Sequence, residues 1–307
     1  MIDVLIIGAG PAGLTAAIYA LRAGLSVVLL EAEVYGGQMA LTNEIENYPG
    51  FKSISGSALS EIMHKQVSSM GGEFVFQRVK SVNLNGNIKI VKTDQKEYHS
   101  HAVIIANGLK RRTLGCRGEK EFSGRGVSYC AICDGAFFKG KNVFVVGGGN
   151  TAVEDAIYLS NICKEVSLVV RKNYLRAEKY LCSLVEGKNN VKRLMESRLR
   201  EIKGESIVNS AVIEDKDGNC REILVDGVFI AIGYEPDNEI YKGQVKMNKD
   251  MYFVSDEECT TNIPGVFVAG DCRLKPVRQI TTATADGAVA GSMAIRYVSE
   301  LGTKINN

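Results

Sequence analysis

The feature that most constrains the fold of this 307-residue chain is an internal repeat. In its first copy, the short apolar stretch Val4–Ile7 runs into the glycine-rich turn Gly8–Gly13. A helical pattern, Leu14–Ala23, follows, and a second apolar stretch, Ser26–Leu30, ends in Glu31. This order predicts a buried strand, a tight turn, a helix and a parallel strand.

The second copy begins at the apolar stretch Asn142–Val146. The turn Gly147–Ala152 comes next, then the helical pattern Val153–Ser160 and the stretch Val166–Val170, which ends at Arg171. Each copy is a complete βαβ unit of the kind that binds nucleotides. The sequence therefore predicts an α/β protein with two Rossmann-like nucleotide-binding domains.

Three further apolar stretches indicate strands outside the repeat, namely Ala102–Gly108, Gly227–Gly233 and Gly265–Asp271. A long helical pattern covers Thr282–Glu300. The charged and glycine-rich segment Arg111–Gly118 reads as a linker, so the first domain should complete itself near residue 112. The sequence does not say which sheet the last strand joins.

Composition narrows the classes of partner. The net charge is only +2 and basic residues are spread along the chain, so neither nucleic acid nor an anionic membrane is expected as a partner. The N-terminus lacks the basic region of a signal peptide, and no apolar run approaches the ~18 residues of a membrane span. We therefore expect a cytoplasmic protein, with most of its eight cysteines as free thiols.

The first turn carries the dinucleotide-binding pattern Gly8-x-Gly10-x-x-Gly13. Its glycines permit a tight turn, close approach of a pyrophosphate and close packing of the helix, whose N-terminus faces the phosphates. Glu31, at the end of the next strand, is placed to accept hydrogen bonds from a ribose. The first site should hold an adenine nucleotide that has no 2′-phosphate.

The second turn reads Gly147-x-Gly149-x-x-Ala152, and the residue near the position equivalent to Glu31 is Arg171. Lys172 and Arg176 follow. A carboxylate there would repel a 2′-phosphate, whereas a guanidinium would pair with it, so this site should hold NADPH. The alternative is that the basic residues form only a solvated turn.

Cys130 and Cys133 form the only closely spaced cysteine pair. Cysteines three residues apart can close a reversible disulfide suited to thiol exchange, and Asp134 is a candidate acid or base beside them. Zinc is an alternative, but no second ligand pair has the required spacing, so no metal is expected. Inert core thiols are the other alternative.

After the first glycine turn, five short motifs follow in the chain. They are Cys-Ala-Ile-Cys-Asp-Gly at 130–135, Gly-Gly-Gly-Asn-Thr-Ala-Val-Glu at 147–154, Arg-Ala-Glu-Lys at 176–179, Ala-Gly-Asp at 269–271 and Arg-Gln-Ile at 278–280. In this order the chain resembles the low-molecular-weight thioredoxin reductases, of the class II pyridine nucleotide-disulfide oxidoreductases, over essentially its whole length. The resemblance implies an NADPH domain (113–244) inserted between two parts of an FAD domain (1–112 and 245–307). It also implies a homodimer and, as protein substrate, thioredoxin or a thioredoxin-like protein.

The resemblance assigns roles to individual positions. Cys130 would attack the protein substrate, Cys133 would face the flavin, and Asp134 would give a proton to the thiolate. Residues implied to bind FAD are Gly8, Gly10, Pro11, Ala12, Gly13, Glu31, Gly36, Gly37, Gln38, Asn47, Ala106, Gly108, Gly270, Asp271, Arg278, Gln279 and Ile280. Residues implied to bind NADPH are Gly147, Gly149, Asn150, Thr151, Ala152, Arg171, Lys172 and Arg176.

The sequence departs from the family pattern at Val170, where the family commonly has histidine, and at Lys172, where it has arginine. Asn107 replaces a common threonine. The rival functions are a related flavoenzyme fed by ferredoxin, one serving a peroxidase, and a non-catalytic redox sensor. The second glycine fingerprint argues against the first, and the lack of a thioredoxin-like domain before Met1 argues against the second.

Overall fold

The computed structural model describes residues 1–42 and 44–305, which divide into two compact units. One unit comprises Met1–Lys110 together with the chain from Pro236 onward, and the other is Arg111–Glu235. The second unit is therefore an insertion in the sequence of the first. Each has its own sheets, which confirms the predicted α/β class with two Rossmann-like units.

The first unit is built on a seven-stranded sheet of order β3-β2-β1-β6-β5-β4, in which β17 also pairs with β6. Its strands are β1 (Ile2–Ile7), β2 (Val27–Glu31), β3 (Glu73–Phe76), β4 (Val79–Asn83), β5 (Lys89–Thr93), β6 (Glu97–Ile105) and β17 (Val266–Val268). Its helices are α1 (Pro11–Arg22), α2 (Gly56–Ser69) and α6 (Ile280–Ile305), with short 3-10 helices at Gly37–Leu41 and Glu239–Tyr241.

Side-chain alternation along β1 divides the core of this unit into two layers. Val4 and Ile6 pack with α1 and α6, whereas Leu5 and Ile7 pack on the other face with Phe253 and its neighbours. The strand that the sequence could not place, β17, pairs in parallel with β6 and so joins this sheet. Because β1, β2, β6 and β17 are mutually parallel, their carboxyl ends lie along one edge.

The second unit has a five-stranded parallel sheet of order β11-β10-β9-β15-β8 and a three-stranded antiparallel sheet, β12-β13-β14. Its strands are β8 (Val127–Ser128), β9 (Asn142–Val146), β10 (Glu165–Val169), β11 (Val191–Leu194), β12 (Arg198–Gly204), β13 (Val208–Glu214), β14 (Cys220–Leu224) and β15 (Gly227–Ile230). Its helices are α3 (Ala131–Asp134), α4 (Asn150–Ser160) and α5 (Lys179–Glu186), with a 3-10 helix at Gly135–Phe138. Two further short strands, β7 (Leu109–Arg111) and β16 (Tyr234–Pro236), pair with each other.

The unit boundaries differ from the expected ones, which followed residues 112 and 244. The chain passes from the first unit to the second between Lys110 and Arg111. It returns to the first unit between Glu235 and Pro236, which is earlier than expected. The reason is packing: Tyr241 is only 1% exposed and lies in the core of the first unit. The intervening residues therefore fold with the first unit.

Candidate functional site

The glycines of the loop between β1 and α1 differ in what surrounds them. Gly8 has φ +104°, and a Cβ there would overlap the backbone of Ala106, so the protein itself requires glycine. Gly10 has ordinary extended backbone, and a Cβ there would meet no atom within 4 Å. No side chain caps the N-terminus of α1. Open space in front of free helix N–H groups is what a pyrophosphate needs.

Glu31 lies at the end of β2 beside this loop. Its Oε2 accepts a 2.9 Å hydrogen bond from the Ala9 amide, and its Oε1 accepts bonds of 2.8 and 2.9 Å from the amides of Ala32 and Glu33. Three backbone donors therefore hold the carboxylate in one orientation. The remaining lone pairs can accept from ribose hydroxyls.

Two other predicted segments come to the same edge of the sheet. The Gly36 amide donates to the Ala9 carbonyl at 2.7 Å, which brings the Gly36–Gln38 segment to the glycine loop. A Cβ on Gly270 would lie 2.9 Å from the Cβ of Ala12, so the turn after β17 also lies against the first glycine loop. Residues distant in the sequence thus form one cradle at the carboxyl ends of the strands.

Asp271 supplies the clearest sign that this cradle is built for a ligand. Its Oδ1 is buried and has no hydrogen-bond partner. Burial raises the pKa of this carboxyl, although Lys275 and Arg278 oppose the rise. A buried acceptor without a donor is costly unless a bound group completes it. The hydroxyl groups of a ribityl chain would do so, and the residues present therefore fit FAD.

The other predicted flavin residues are held by short polar contacts. The Asn47 amide donates to Gln279 Oε1 at 3.2 Å, and the Gln38 amide donates to the Leu109 carbonyl at 2.6 Å. Arg278 donates to the Asp271 carbonyl at 3.3 Å. Ile280 is the first residue of α6, two residues before the predicted start of that helix.

The loop between β9 and α4 repeats the geometry of the first. Gly147 has φ +152°, and a Cβ there would overlap the Ala231 backbone. A Cβ on Gly149, like one on Gly10, would meet no atom within 4 Å, and no side chain caps the N-terminus of α4. Asn150 exchanges hydrogen bonds of 2.9 and 3.0 Å with Glu178. Thr151 and Ala152 complete the first turn of α4.

The register of the two units identifies the true counterpart of Glu31. The Gly8 amide donates to the Leu30 carbonyl, and the Gly147 amide donates to the Val169 carbonyl. Val170, not Arg171, is therefore equivalent to Glu31, and Arg171 lies one residue further along. Val170 is 2% exposed, and its Cγ1 packs against Gly148. An apolar group stands where the first unit has a carboxylate.

Three basic side chains follow Val170 on an exposed turn. The Arg176 amide donates to the Gly148 carbonyl at 2.6 Å, which anchors this turn to the second glycine loop. Lys172 Nζ donates to the Tyr174 hydroxyl at 2.9 Å and lies over its ring. Within the described residues, Arg171 and Arg176 form no ion pair, so their charges are open to a phosphate. This arrangement fits the 2′-phosphate of NADPH.

Cys130 and Cys133 form a disulfide at the start of α3, with their Cα atoms 5.3 Å apart. Cys133 is exposed and Cys130 is half-buried. Asp134, the last residue of α3, accepts a 2.6 Å hydrogen bond from Ser128 Oγ. The sequence reasoning missed Ser128, and the only available signal was a hydroxyl residue shortly before the cysteine pair.

Four of the six other cysteines differ in environment from this pair. Burial raises the pKa of Cys116, Cys163 and Cys259 to about 11, and that of Cys272 to about 12. These thiols stay protonated at neutral pH and are poor nucleophiles. Among the described residues, no group of three or more His, Cys, Asp or Glu side chains is arranged to hold a metal ion. The Cys130–Cys133 disulfide is the redox-active candidate.

Comparison with known proteins gives a consistent result. The sequence pattern described as pyridine nucleotide-disulphide oxidoreductase matches residues 2–287. The thioredoxin reductase of Bacillus subtilis is 44% identical over 301 residues, covering 97% of this chain and 95% of that one. The crystal structure of Lactococcus lactis thioredoxin reductase is 39% identical, covers 98% of this chain and 100% of that one, and has a TM-score of 0.91. A ferredoxin-flavin thioredoxin reductase from Clostridium acetobutylicum, 31% identical over 98% of each chain, has a TM-score of 0.53. The chain belongs to the pyridine nucleotide-disulphide oxidoreductase family, among the thioredoxin reductases.

Proposed function

We propose that this protein is a thioredoxin-disulfide reductase, in which electrons pass from NADPH through FAD to the Cys130–Cys133 disulfide and then to oxidised thioredoxin or a similar small redox protein. The observation that carries the proposal is a disulfide with an adjacent carboxyl group in a chain that has two open glycine loops. The family membership gives the same activity.

The first unit is the proposed FAD domain. When bound, FAD accepts a hydride and passes on two electrons. The N-terminus of α1 would hold its pyrophosphate, Glu31 its adenosine ribose and Asp271 its ribityl chain. Gln279 and Ile280 would meet the ring at the start of α6, where helix N–H groups favour negative charge.

The second unit is the proposed NADPH domain. Its glycine loop and the N-terminus of α4 would hold the pyrophosphate. Val170 removes the carboxylate that would repel a 2′-phosphate, and the adjacent Arg171 and Arg176 supply positive charge. Lys172 offers a point charge in place of a planar guanidinium, so we expect a weaker preference for NADPH over NADH than the usual family pattern gives.

The disulfide carries the second half of the reaction. Once it has been reduced, the Cys130 thiolate would attack one sulfur of the thioredoxin disulfide and release the other as a thiolate. Cys133 would then attack Cys130 and release the second thioredoxin sulfur, which restores the disulfide. Asp134 would exchange the proton that distinguishes a thiol from a thiolate at this pair.

The partner, the assembly and the compartment are also proposals. Phe137 is 73% exposed and lies close after Asp134 in the sequence, which suits docking of a protein substrate beside the disulfide. The family resemblance supports a homodimer in the cytoplasm, and sedimentation of the purified protein would measure its assembly. No helix within residues 1–42 and 44–305 combines the length and apolar character needed to cross a membrane.

Reduction of DTNB by NADPH, with and without added thioredoxin, tests the activity. The enzyme should reduce DTNB rapidly only when thioredoxin is present, and replacing Cys130 with serine should abolish that turnover. The matched control is Cys220→Ser, because Cys220 is an exposed free thiol on β14. A redox sensor would show slow turnover in every case, whereas a ferredoxin-fed enzyme would fail with NADPH and work with reduced ferredoxin.

A further inference from the structure

We propose that Ser128 is a positioning residue for Asp134, and that its hydroxyl keeps this carboxyl group hydrogen-bonded both when it is ionised and when it is protonated. The inference rests on the proposed function, since it concerns the proton that the cysteine pair exchanges. It assigns a role to a residue that belongs to none of the motifs described above.

The strand β8 fixes the position of Ser128. This residue pairs with Phe229 of the neighbouring strand β15, and it is 5% exposed. The chain leaves the sheet directly after Ser128 and reaches Cys130, the N-cap residue of α3. The hydroxyl is therefore attached to the parallel sheet of the unit, next to the short helix that carries the redox pair.

Three polar atoms surround Ser128 Oγ. Asp134 Oδ2 lies at 2.6 Å, the Cys130 carbonyl oxygen at 3.2 Å, and the Cys130 amide nitrogen, which donates to Oγ, at 3.0 Å. A serine hydroxyl has one hydrogen to donate and two lone pairs to accept with. It can therefore donate to Asp134 or to the Cys130 carbonyl, but not to both at once.

These contacts give two complete arrangements with the same heavy-atom positions. With Asp134 ionised, the hydroxyl donates to Oδ2 and accepts from the Cys130 amide. With Asp134 protonated on Oδ2, the acid donates to Oγ, and the hydroxyl turns to donate to the Cys130 carbonyl. Ser128 Oγ, Asp134 Oδ2 and the Cys130 amide each have a partner in both arrangements, and the Cys130 carbonyl also accepts from the Asp134 amide at 3.1 Å, so only hydrogens move when the proton comes or goes.

This property matches the requirement of the reaction. Two electrons delivered to the disulfide break the S–S bond and leave two thiolates. One thiolate takes the proton of Asp134 and becomes a thiol, and Asp134 becomes a carboxylate that receives the Ser128 hydrogen bond. A side chain that had to rotate at each proton transfer would slow the step, since catalysis depends on groups already held in place.

The matched variants are Ser128→Thr and Ser128→Val, because threonine and valine have the same shape and differ in the hydroxyl. Ser128→Ala supplies a smaller truncation should the branched residues fail to fit β8. The control is Ser160→Ala, which removes a buried hydroxyl that donates to the Ile157 carbonyl. Reduction of ferricyanide by NADPH, which bypasses the disulfide, reports whether each variant is folded and loaded with flavin.

We expect Ser128→Ala and Ser128→Val to lower the kcat for thioredoxin by about tenfold or more, because a hydrogen bond to a charged group is lost. Ser128→Thr and Ser160→Ala should stay close to the wild type, and ferricyanide reduction should be unchanged in all of them. If a Ser128 variant without the hydroxyl turns over thioredoxin at the wild-type rate, the inference is wrong.

A double-mutant cycle separates positioning from simple structural support. If Ser128 acts through Asp134, adding Ser128→Ala to Asp134→Asn should cause little further loss of kcat. Additive losses would mean that the serine supports only the Cys130 backbone, and would overturn the inference. Failure of the wild-type protein to reduce thioredoxin would instead refute the proposed function.

Discussion

Replacing Asp286 with asparagine tests the support beneath the proposed flavin site. Asp286 lies on α6, and its carboxylate accepts hydrogen bonds from Arg273 at 2.8 Å, from Lys275 at 2.6 Å and from the Gly270 amide at 3.0 Å. The three side chains are between 9% and 13% exposed. One largely buried carboxylate thus balances two cations and holds the turn that carries Asp271.

The expected loss of stability follows from this arrangement. Removing one partner of a buried ion pair costs about 3–5 kcal/mol, because the other charge stays buried and uncompensated. Asparagine keeps one oxygen that can accept a hydrogen bond but carries no charge, so we expect a loss of about 3 kcal/mol. A typical protein has only about 5–15 kcal/mol of net stability.

Urea unfolding measures this effect. The chain contains no tryptophan, so far-UV circular dichroism is the suitable probe, and the two units can unfold in separate transitions. The transition of the first unit should move to lower urea, and the variant should lose FAD more readily on gel filtration. The control is Glu61→Gln, which breaks an exposed ion pair with Lys65 in the same unit. Our reasoning fails if Asp286→Asn unfolds at the same urea concentration as this control.

Three further outcomes are expected. Replacing Arg171 or Arg176 with alanine should raise the KM for NADPH about fivefold and leave the KM for NADH unchanged, and equal effects on both would exclude contact with the 2′-phosphate. Burial, reinforced by Glu154 and opposed by Arg111, raises the pKa of Asp155 from 3.8 to about 7. The folded state holds this proton more tightly than the unfolded state does, so the free energy of unfolding falls as the pH rises from about 4 through 7. Asp155→Asn should therefore raise the thermal midpoint at pH 8 but not at pH 4. Replacing the exposed Phe137 with alanine should raise the KM for thioredoxin about tenfold without affecting ferricyanide reduction, and an unchanged KM would remove Phe137 from the docking surface.

The parts of the fold that the sequence predicted are those encoded by local pattern. The two βαβ units follow from glycine turns and apolar strands that are contiguous in the chain, and the structure contains both. The Cys130–Cys133 disulfide follows from spacing, and its formation is confirmed. In each case the deciding residues lie in one continuous stretch of the chain.

The parts that the sequence did not predict depend on contacts between distant residues. The second unit boundary is set by burial of Tyr241 against Phe253, and no local pattern encodes this contact. The network around Asp286 joins α6 to the turn after β17, where charged residues look like an ordinary solvated surface. Ser128 is close to Asp134 in the sequence, but only the path of β8 into α3 brings the two side chains together.

The two glycine loops show how one folding unit can serve two different nucleotides. In both, the first glycine is required by the backbone, whereas the second faces open space, so the part that holds a pyrophosphate is nearly the same. The difference lies at the end of the second strand. Glu31 is held by three backbone amides, one of them in the first glycine loop, while Val170 fills the equivalent place without charge. A carboxylate at Val170 would both bind ribose hydroxyls and repel a phosphate from the neighbouring Arg171. We therefore propose that this exchange of one side chain lets the second unit accept a 2′-phosphate that the first unit would repel.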